Sequence, residues 1–276
     1  MPRDLNDRVV LITGASLGVG LACAQAFGAA GSKVVLVARR PEPLRDALAT
    51  MPDAAKAMVL PCDVSDSAGL RTLVDQVRTA WGPIEGLVNN AGAHFRGAVA
   101  TQPAEKLATM VDVNLRAPIE LTRLVLDDLI ATQGFVVNVA SLAGRLPLDG
   151  AATYSATKFG LRAFSLALNE ELRETGVDSC IVSPGPVDTG FIMEDIDAVD
   201  DIVFSQPICT AEHVAQMVID CATDGKAERA WPPTGARLAT LSYLVPGLRR
   251  RLKPMMRRKG QRAKAALKAS RGTPTE

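Results

Sequence analysis

The chain contains few aromatic residues and histidines, and too few cysteines for a disulfide framework. Of its 276 residues 4% are aromatic and two are histidines, and the five cysteines include no C-x-x-C pair. An odd number of cysteines without that spacing argues against disulfides and against a zinc site. No apolar run approaches about 18 residues, and the charged N-terminus lacks the apolar core of a secretion signal. These absences predict a cytoplasmic protein with no membrane span.

The charge of the chain is unevenly distributed. The formal net charge is +1, yet residues 249–271 carry 11 Lys and Arg and no acid. Residues 1–248 therefore hold 20 basic against 29 acidic residues, a difference of −9. Hydrophobic residues make up 47% of the chain, which is ample for a buried core. The sequence thus predicts an acidic globular body followed by a strongly basic segment.

Short β-branched runs alternate with longer segments of helical periodicity. This alternation predicts βαβ units and a doubly wound, mostly parallel sheet covered on both faces. We predict a single domain over residues 1–237 and a basic amphipathic extension over 238–276. The predicted strands are Val9–Ile12, Val34–Val37, Ala57–Leu60, Gly86–Val88, Phe135–Val139 and Ser179–Val182, and the predicted helices include Leu17–Ala30, Ser67–Ala80, Leu107–Ile130 and Ala151–Leu172.

The first predicted strand runs into a glycine-rich segment that opens a helix. Gly14, Gly18 and Gly20 form the pattern G-x-x-x-G-x-G, with Ser16 and Leu17 between them. Glycines permit a tight turn and the close approach of a pyrophosphate, whose charge is met by N–H groups at a helix N-terminus. The position of this segment at the first strand-to-helix junction favours nucleotide binding over a packing role for the glycines.

The residues after the second predicted strand indicate which nucleotide is bound. An acid at this place would bind the adenosine ribose 2′-hydroxyl of NAD, but the chain has Arg39 and Arg40, and no acid occurs before Glu42. Guanidinium groups suit a 2′-phosphate through charge-assisted hydrogen bonds. The sequence therefore predicts NADP(H) as the cofactor.

Tyr154 and Lys158 stand four residues apart in the predicted helix Ala151–Leu172. Residues i and i+4 share one helix face, so we expect the ammonium to lie near the phenol and to favour its ionised form. Hydride addition to a carbonyl develops negative charge on oxygen, and an acidic phenol together with a hydroxyl donor would stabilise it. Ser141, which follows the fifth predicted strand, is a candidate for that donor, although it could equally cap a helix.

The order of these motifs resembles the short-chain dehydrogenase/reductase family of the compact Rossmann type, over roughly residues 7–230. The resemblance implies that Tyr154 is the general acid/base, that Ser141 holds the substrate oxygen, and that Lys158 binds the nicotinamide ribose and lowers the pKa of the tyrosine. It also implies that Asn114 anchors a water in a proton relay; from the residues alone a satisfied buried amide is as good an interpretation. Further cofactor contacts implied by the resemblance are Asp63 and Val64 at adenine, Asn90, Ala91 and Gly92 beside the glycine loop, and Pro184, Gly185, Val187 and Thr189 at the nicotinamide.

The segment after Thr189 occupies the place of the family's substrate-covering loop. Its apolar residues suit a nonpolar carbonyl compound, while its five acids between Glu194 and Asp201 argue against a highly anionic one. His94 is a candidate to face the pocket, although a lone loop histidine is more often solvated. His213 is expected on a surface helix.

The extension over 238–256 carries an apolar stripe that we expect to be broken at Pro246 and Pro254. Three interpretations compete: a subunit contact in a homo-oligomer, either dimer or tetramer; a peripheral contact with an anionic membrane; or a solvated tail, with disorder expected for 261–276. Nucleic-acid binding is disfavoured, because the basic stretch has no interleaved aromatic residues.

The sequence therefore predicts an NADPH-dependent oxidoreductase that transfers a hydride between nicotinamide and a ketone or secondary alcohol. The first alternative is a non-catalytic NADP(H)-binding sensor or scaffold. The second is a methyltransferase that binds S-adenosylmethionine at its glycine loop, which the arginines after the second strand disfavour.

Overall fold

The computed structural model describes residues 2–272 and shows one seven-stranded sheet in which all paired strands are parallel. The strands are β1 Val9–Thr13, β2 Lys33–Ala38, β3 Ala57–Pro61, β4 Gly86–Asn89, β5 Phe135–Val139, β6 Asp178–Pro184 and β7 Glu228–Trp231. Their order in the sheet is β3-β2-β1-β4-β5-β6-β7, so the strand order reverses between β1 and β4.

Helices cover both faces of this sheet, so the central strands are buried on both sides. The helices are α1 Gly18–Ala29, α2 Pro41–Ala49, α3 Ser67–Trp81, α4 Ala104–Val111, α5 Ala117–Thr132, α6 Ala152–Glu171, α7 Gly190–Met193, α8 Ala211–Asp224, α9 Pro233–Leu244 and α10 Pro246–Gly272. One core cluster joins the sheet to α1, α2 and α8, and a second joins it to α3, α5 and α6.

The predicted doubly wound Rossmann sheet and single domain are confirmed, with two local corrections. All six predicted strands are present, and β7 is an additional strand whose half-buried residues carry no β-branched side chain. The helical stretch predicted over Leu107–Ile130 is present, but a π-helical turn at Asp112–Arg116 divides it into α4 and α5. Such turns are frequent at functional sites, and this one contains Asn114.

The C-terminal extension is more ordered than predicted. A helix boundary does occur at Pro246, where proline is tolerated at the first helical position, but Pro254 lies inside α10, so the predicted break there is wrong. The disorder expected from residue 261 is also wrong as far as Gly272, because α10 packs against residues 201–205. Residues 273–276 lie outside the described part of the chain.

The boundary predicted between residues 237 and 238 falls within α9, whose Ala236 and Ala239 are buried.

Across residues 2–272, no helix combines the length and the apolar character that crossing a membrane requires.

Candidate active site

A cavity of about 1480 Å³ opens at the carboxyl ends of the strands, the edge at which ligands bind in open α/β sheets. Most of the predicted site residues line it. These are Gly14, Leu17, Gly18, Arg39, Arg40, Asn90, Ala91, Gly92, Ser141, Tyr154, Lys158, Pro184, Gly185, Val187 and Thr189.

The remaining predicted residues lie behind or beside this cavity. Val64 is 7% exposed in the hydrophobic core, and Asp63 accepts hydrogen bonds from the Ser65 backbone nitrogen and hydroxyl at 2.9 and 2.7 Å. Ser16 and Gly20 belong to the glycine loop without lining the cavity. The expected adenine contacts of Asp63 and Val64 stay predictions.

The glycine loop is shaped so that larger residues would not fit. Gly14 and Gly18 have φ values of +66° and +55°, which disfavour side chains with a Cβ atom. A Cβ on Gly20 would lie 2.0 Å from the Gly14 carbonyl oxygen. The N-cap residue of α1, Leu17, makes no side-chain capping bond, so the N–H groups of the first turn are available to an anion. The loop therefore fits a pyrophosphate group.

Asn90 fixes the glycine loop to the middle of the sheet. Its amide nitrogen donates to the carbonyl oxygens of Thr13 and Gly14, at 3.0 and 3.3 Å. Its backbone nitrogen donates to the Thr13 hydroxyl at 3.1 Å. Asn90 thus joins the ends of β1 and β4, the two strands at which the strand order reverses.

Arg39 and Arg40 follow β2 at the far end of the cavity, and both are exposed. Neither guanidinium forms an ion pair within the described residues. Two solvated cations at this position suit a phosphate group, while Glu42 lies already in the first turn of α2.

Tyr154 and Ser141 meet at the other end of the cavity. Tyr154 is 8% exposed, and burial raises the pKa of its phenol; a hydrogen bond with Ser141 and the charge of Arg96 oppose this rise without cancelling it. The Ser141 oxygen also accepts a hydrogen bond from the Ala143 nitrogen at 3.1 Å, so Ser141 both caps a short helical turn and contacts the phenol. The site holds a protonated phenol beside a hydroxyl group.

Lys158 lies near Tyr154, as the helical spacing predicted, and is buried. Its ammonium is 5.9 Å from the centroid of the Tyr154 ring and donates to the Val139 carbonyl oxygen at 2.9 Å. Burial lowers the pKa of Lys158 to about 8. In the protein alone, the loss of hydration dominates the pKa of the tyrosine and raises it. The expected effect of the lysine cation on the phenol stays a prediction.

Asn114 is fully buried in the π-helical turn, and protein groups occupy its side-chain amide. The amide oxygen accepts from the Ala93 nitrogen at 2.7 Å, and the amide nitrogen donates to the Ala93 oxygen at 2.8 Å and to the Thr157 hydroxyl at 3.2 Å. Asn114 thereby holds the chain after Gly92 against α6. Its expected role in a proton relay stays a prediction.

Of the two alternatives for His94, the structure supports the one in which it faces the pocket: its half-buried ring lines the cavity. Its ring stacks on the Tyr154 ring with a centroid distance of 4.1 Å and an interplanar angle of 14°. Its Nε2 atom is buried and has no hydrogen-bond partner among the described residues. Burial, followed by the charges of Arg96 and Lys158, lowers the pKa of His94 to about 3. The signal for this residue is its place two residues after Gly92, the last residue of the motif Asn89-Asn90-Ala91-Gly92.

Arg96 and Phe191 complete the surroundings of the phenol, and the sequence did not single them out. The Arg96 guanidinium donates to the Phe191 carbonyl oxygen at 2.8 Å and lies 5.8 Å from the centroid of its ring. The Phe191 ring is 6.4 Å from that of Tyr154 and 6.2 Å from that of His94. The segment that begins with α7 therefore lies beside Tyr154, at the place expected for a substrate-covering loop.

The acids of that segment are largely neutralised within the protein. Ion pairs join Asp197 to Lys268, Asp200 to Arg257, and Asp201 to Lys264. Three of the five acids that argued against a highly anionic substrate are therefore paired with basic residues of the protein, which weakens that expectation.

Comparison with known protein families agrees with this geometry. The sequence profile described as short chain dehydrogenase matches residues 8–199. A ketoacyl reductase, HetN, from Nostoc sp. is 37% identical over 185 residues, which is 66% of this chain and 64% of that protein. Sulfoacetaldehyde reductase 2 from Chromohalobacter salexigens is 33% identical over 226 residues, which is 78% of this chain and 88% of that protein.

A solved structure shares both fold and sequence with the chain. A variant of actinorhodin polyketide ketoreductase, crystallised with NADPH, superposes with a TM-score of 0.74 at 34% identity. The similarity covers 81% of this chain and 94% of the ketoreductase.

Proposed function

Because the chain belongs to the short chain dehydrogenase family, we propose that it is an NADPH-dependent reductase of ketones, or a dehydrogenase of the corresponding secondary alcohols. The observation that carries this proposal is the meeting of Ser141 and Tyr154 in a cavity whose other end is formed by the glycine loop and two arginines. The similar ketoreductase, ketoacyl reductase and sulfoacetaldehyde reductase support a carbonyl group as the reacting centre.

The residues of the cavity are suited to hold the cofactor along its whole length. The first turn of α1 and its glycines would bind the pyrophosphate, and Arg39 and Arg40 would bind the 2′-phosphate that distinguishes NADP(H) from NAD(H). Lys158 would bind the ribose next to the nicotinamide. When bound, the reduced cofactor supplies the hydride.

The chain's own residues manage the proton and the substrate oxygen. We propose that the Ser141 hydroxyl donates a hydrogen bond to the carbonyl oxygen and that Tyr154 gives its proton to that oxygen as negative charge develops. The raised pKa of the buried phenol keeps this proton in place at neutral pH. Apolar residues around the site, including Phe191, favour a substrate with a nonpolar part.

We further propose a cytoplasmic homo-oligomer. Large apolar side chains at the end of α9 are exposed, among them Leu241, Tyr243, Leu244 and Val245, and a second copy of the chain would cover them. Light scattering measures the oligomer mass, and Leu244→Ser should lower it. Sedimentation with anionic liposomes at low salt tests the alternative, a peripheral membrane contact.

A substrate screen tests the proposed activity. Ketones of varied size are incubated with NADPH, and its oxidation is followed by absorbance, with Tyr154→Phe as the control protein. We expect turnover by the parent protein only. Tight NADPH binding without turnover of any carbonyl compound would instead favour a sensor or scaffold, and binding of S-adenosylmethionine in place of NADPH would favour a methyltransferase.

A further inference from the structure

The basic C-terminal helix packs directly on the segment that covers the cavity. Gly260 of α10 is buried where the helix crosses residues 201–205. A Cβ atom on Gly260 would lie 1.8 Å from the Asp201 carbonyl oxygen and 3.2 Å from the Ser205 nitrogen. The two backbones therefore touch, and glycine is the residue that permits this approach.

Lys264 holds the same segment through its backbone. Its ammonium donates to the carbonyl oxygens of Val199 and Asp197, at 2.8 and 3.3 Å, and lies 3.3 Å from a carboxylate oxygen of Asp201. The side chain is 12% exposed, and its ammonium lies 5.6 Å from the centroid of the buried Phe204 ring. Charge-assisted bonds shielded from water in this way hold more firmly than exposed ion pairs.

The N-terminal half of α10 contacts a second loop at the rim of the cavity. Arg249 donates to the Pro147 carbonyl oxygen at 2.9 Å and forms an ion pair with Asp149 at 3.3 Å. These residues precede α6, which carries Tyr154. Since Arg257 pairs with Asp200 at 2.8 Å, α10 links the loops on two sides of the cavity.

Two apolar side chains of α10 lie between these polar contacts. Leu252 and Met256, one helical turn apart, are half-buried and line the same cavity as Tyr154. We propose that α10 is a wall of the substrate site: it positions the segment 190–205 over Tyr154, and Leu252 and Met256 contact the nonpolar part of the substrate. The contact with substrate rests on the proposed function, whereas the positioning of the segment does not.

Two glycines of α10 provide a matched test of the positioning. Gly260→Ala places a methyl group against Asp201, whereas Gly247→Ala adds one where nothing lies within 4 Å. Alanine favours the helix in both proteins, so they differ in docking alone. Hydrogen exchange of peptides covering residues 197–205 needs no substrate. We expect faster exchange in Gly260→Ala and parental exchange in Gly247→Ala.

Kinetics with a substrate of the parent protein test whether the position of this segment affects substrate binding. In Gly260→Ala and in Lys264→Met, which removes the donors to the Val199 and Asp197 carbonyls, we expect KM for the carbonyl substrate to rise roughly tenfold, with kcat changed less. NADPH affinity should stay within about twofold of the parent, because the cofactor is bound by other residues.

Parental hydrogen exchange in Gly260→Ala would overturn the positioning role. A loss of NADPH affinity as large as the rise in KM would mean a general structural defect and would also overturn it. For the cavity wall, Met256→Ala should raise KM more for ketones with long apolar chains than for small ones. If Met256→Ala raises KM equally for long-chain and small ketones, the proposed contact of α10 with the substrate is overturned. Absence of any turnover by the parent protein would instead count against the proposed function.

Discussion

The stacked His94 should make the stability of the protein depend on pH. Its pKa is lowered from 6.5 to about 3, chiefly by burial and then by the charges of Arg96 and Lys158. The folded protein therefore keeps the imidazole neutral at pH values at which the unfolded chain already binds a proton. Because the unfolded state holds more protons between about pH 6.5 and 3, the free energy of unfolding falls as the pH falls through this window.

The size of the effect follows from the number of protons. One proton taken up on unfolding changes the free energy of unfolding by about 1.4 kcal/mol for each pH unit. Between pH 6 and 4.5, His94 alone should therefore lower it by about 2 kcal/mol. This is a large fraction of the roughly 5–15 kcal/mol that stabilises a folded domain.

Urea unfolding at a series of pH values between 6 and 4.5 measures this dependence. His94→Gln should be less stable than the parent at neutral pH, because the ring that stacks on Tyr154 is lost, but its stability should fall less steeply on acidification. His213→Gln removes an exposed imidazole from α8 and is the control for the substitution itself. If His94→Gln shows the same slope as the parent, the buried neutral histidine is not the cause of the acid sensitivity.

Three further substitutions test the cofactor and proton assignments. Tyr154→Phe should abolish nearly all turnover in a spectrophotometric assay while leaving NADPH affinity within a few-fold, and substantial remaining activity would place the acid elsewhere. Arg39→Asp should weaken NADPH binding by about 1.5–3 kcal/mol in calorimetry and shift preference towards NADH, whereas equal binding of both cofactors by the parent would refute the NADP(H) preference. Gly20→Ala should reduce NADPH affinity at least tenfold in fluorescence titrations, because its Cβ would meet the Gly14 carbonyl oxygen at 2.0 Å. Parental affinity there would mean that the loop can relax.

The fold and one half of the site were predictable because they depend on local pattern. Buried parallel strands require β-branched runs, which is why six strands could be read directly. The strand Glu228–Trp231 escaped because its four residues are half-buried and include no β-branched side chain. The glycine loop and the arginines after β2 were recognisable because close backbone approach and phosphate binding each require particular residue types.

The surroundings of Tyr154 could not be predicted in the same way. Helical spacing correctly placed Lys158 near the phenol, but it contains no information about depth, and it is burial that raises the pKa of the phenol. The same holds for His94, whose half-buried ring packs against Tyr154 and Phe191 from distant parts of the chain.

The C-terminal extension shows most clearly where the sequence stops being sufficient. Sequence alone established its positive charge and its apolar stripe. It did not reveal that three of the acids which pair with this charge lie 57 to 71 residues earlier, in the segment beside Tyr154, or that another, Asp149, lies 100 residues before Arg249. Electrostatic attraction and backbone approach at Gly260 depend on distance in space, and only the tertiary structure brings these two segments together.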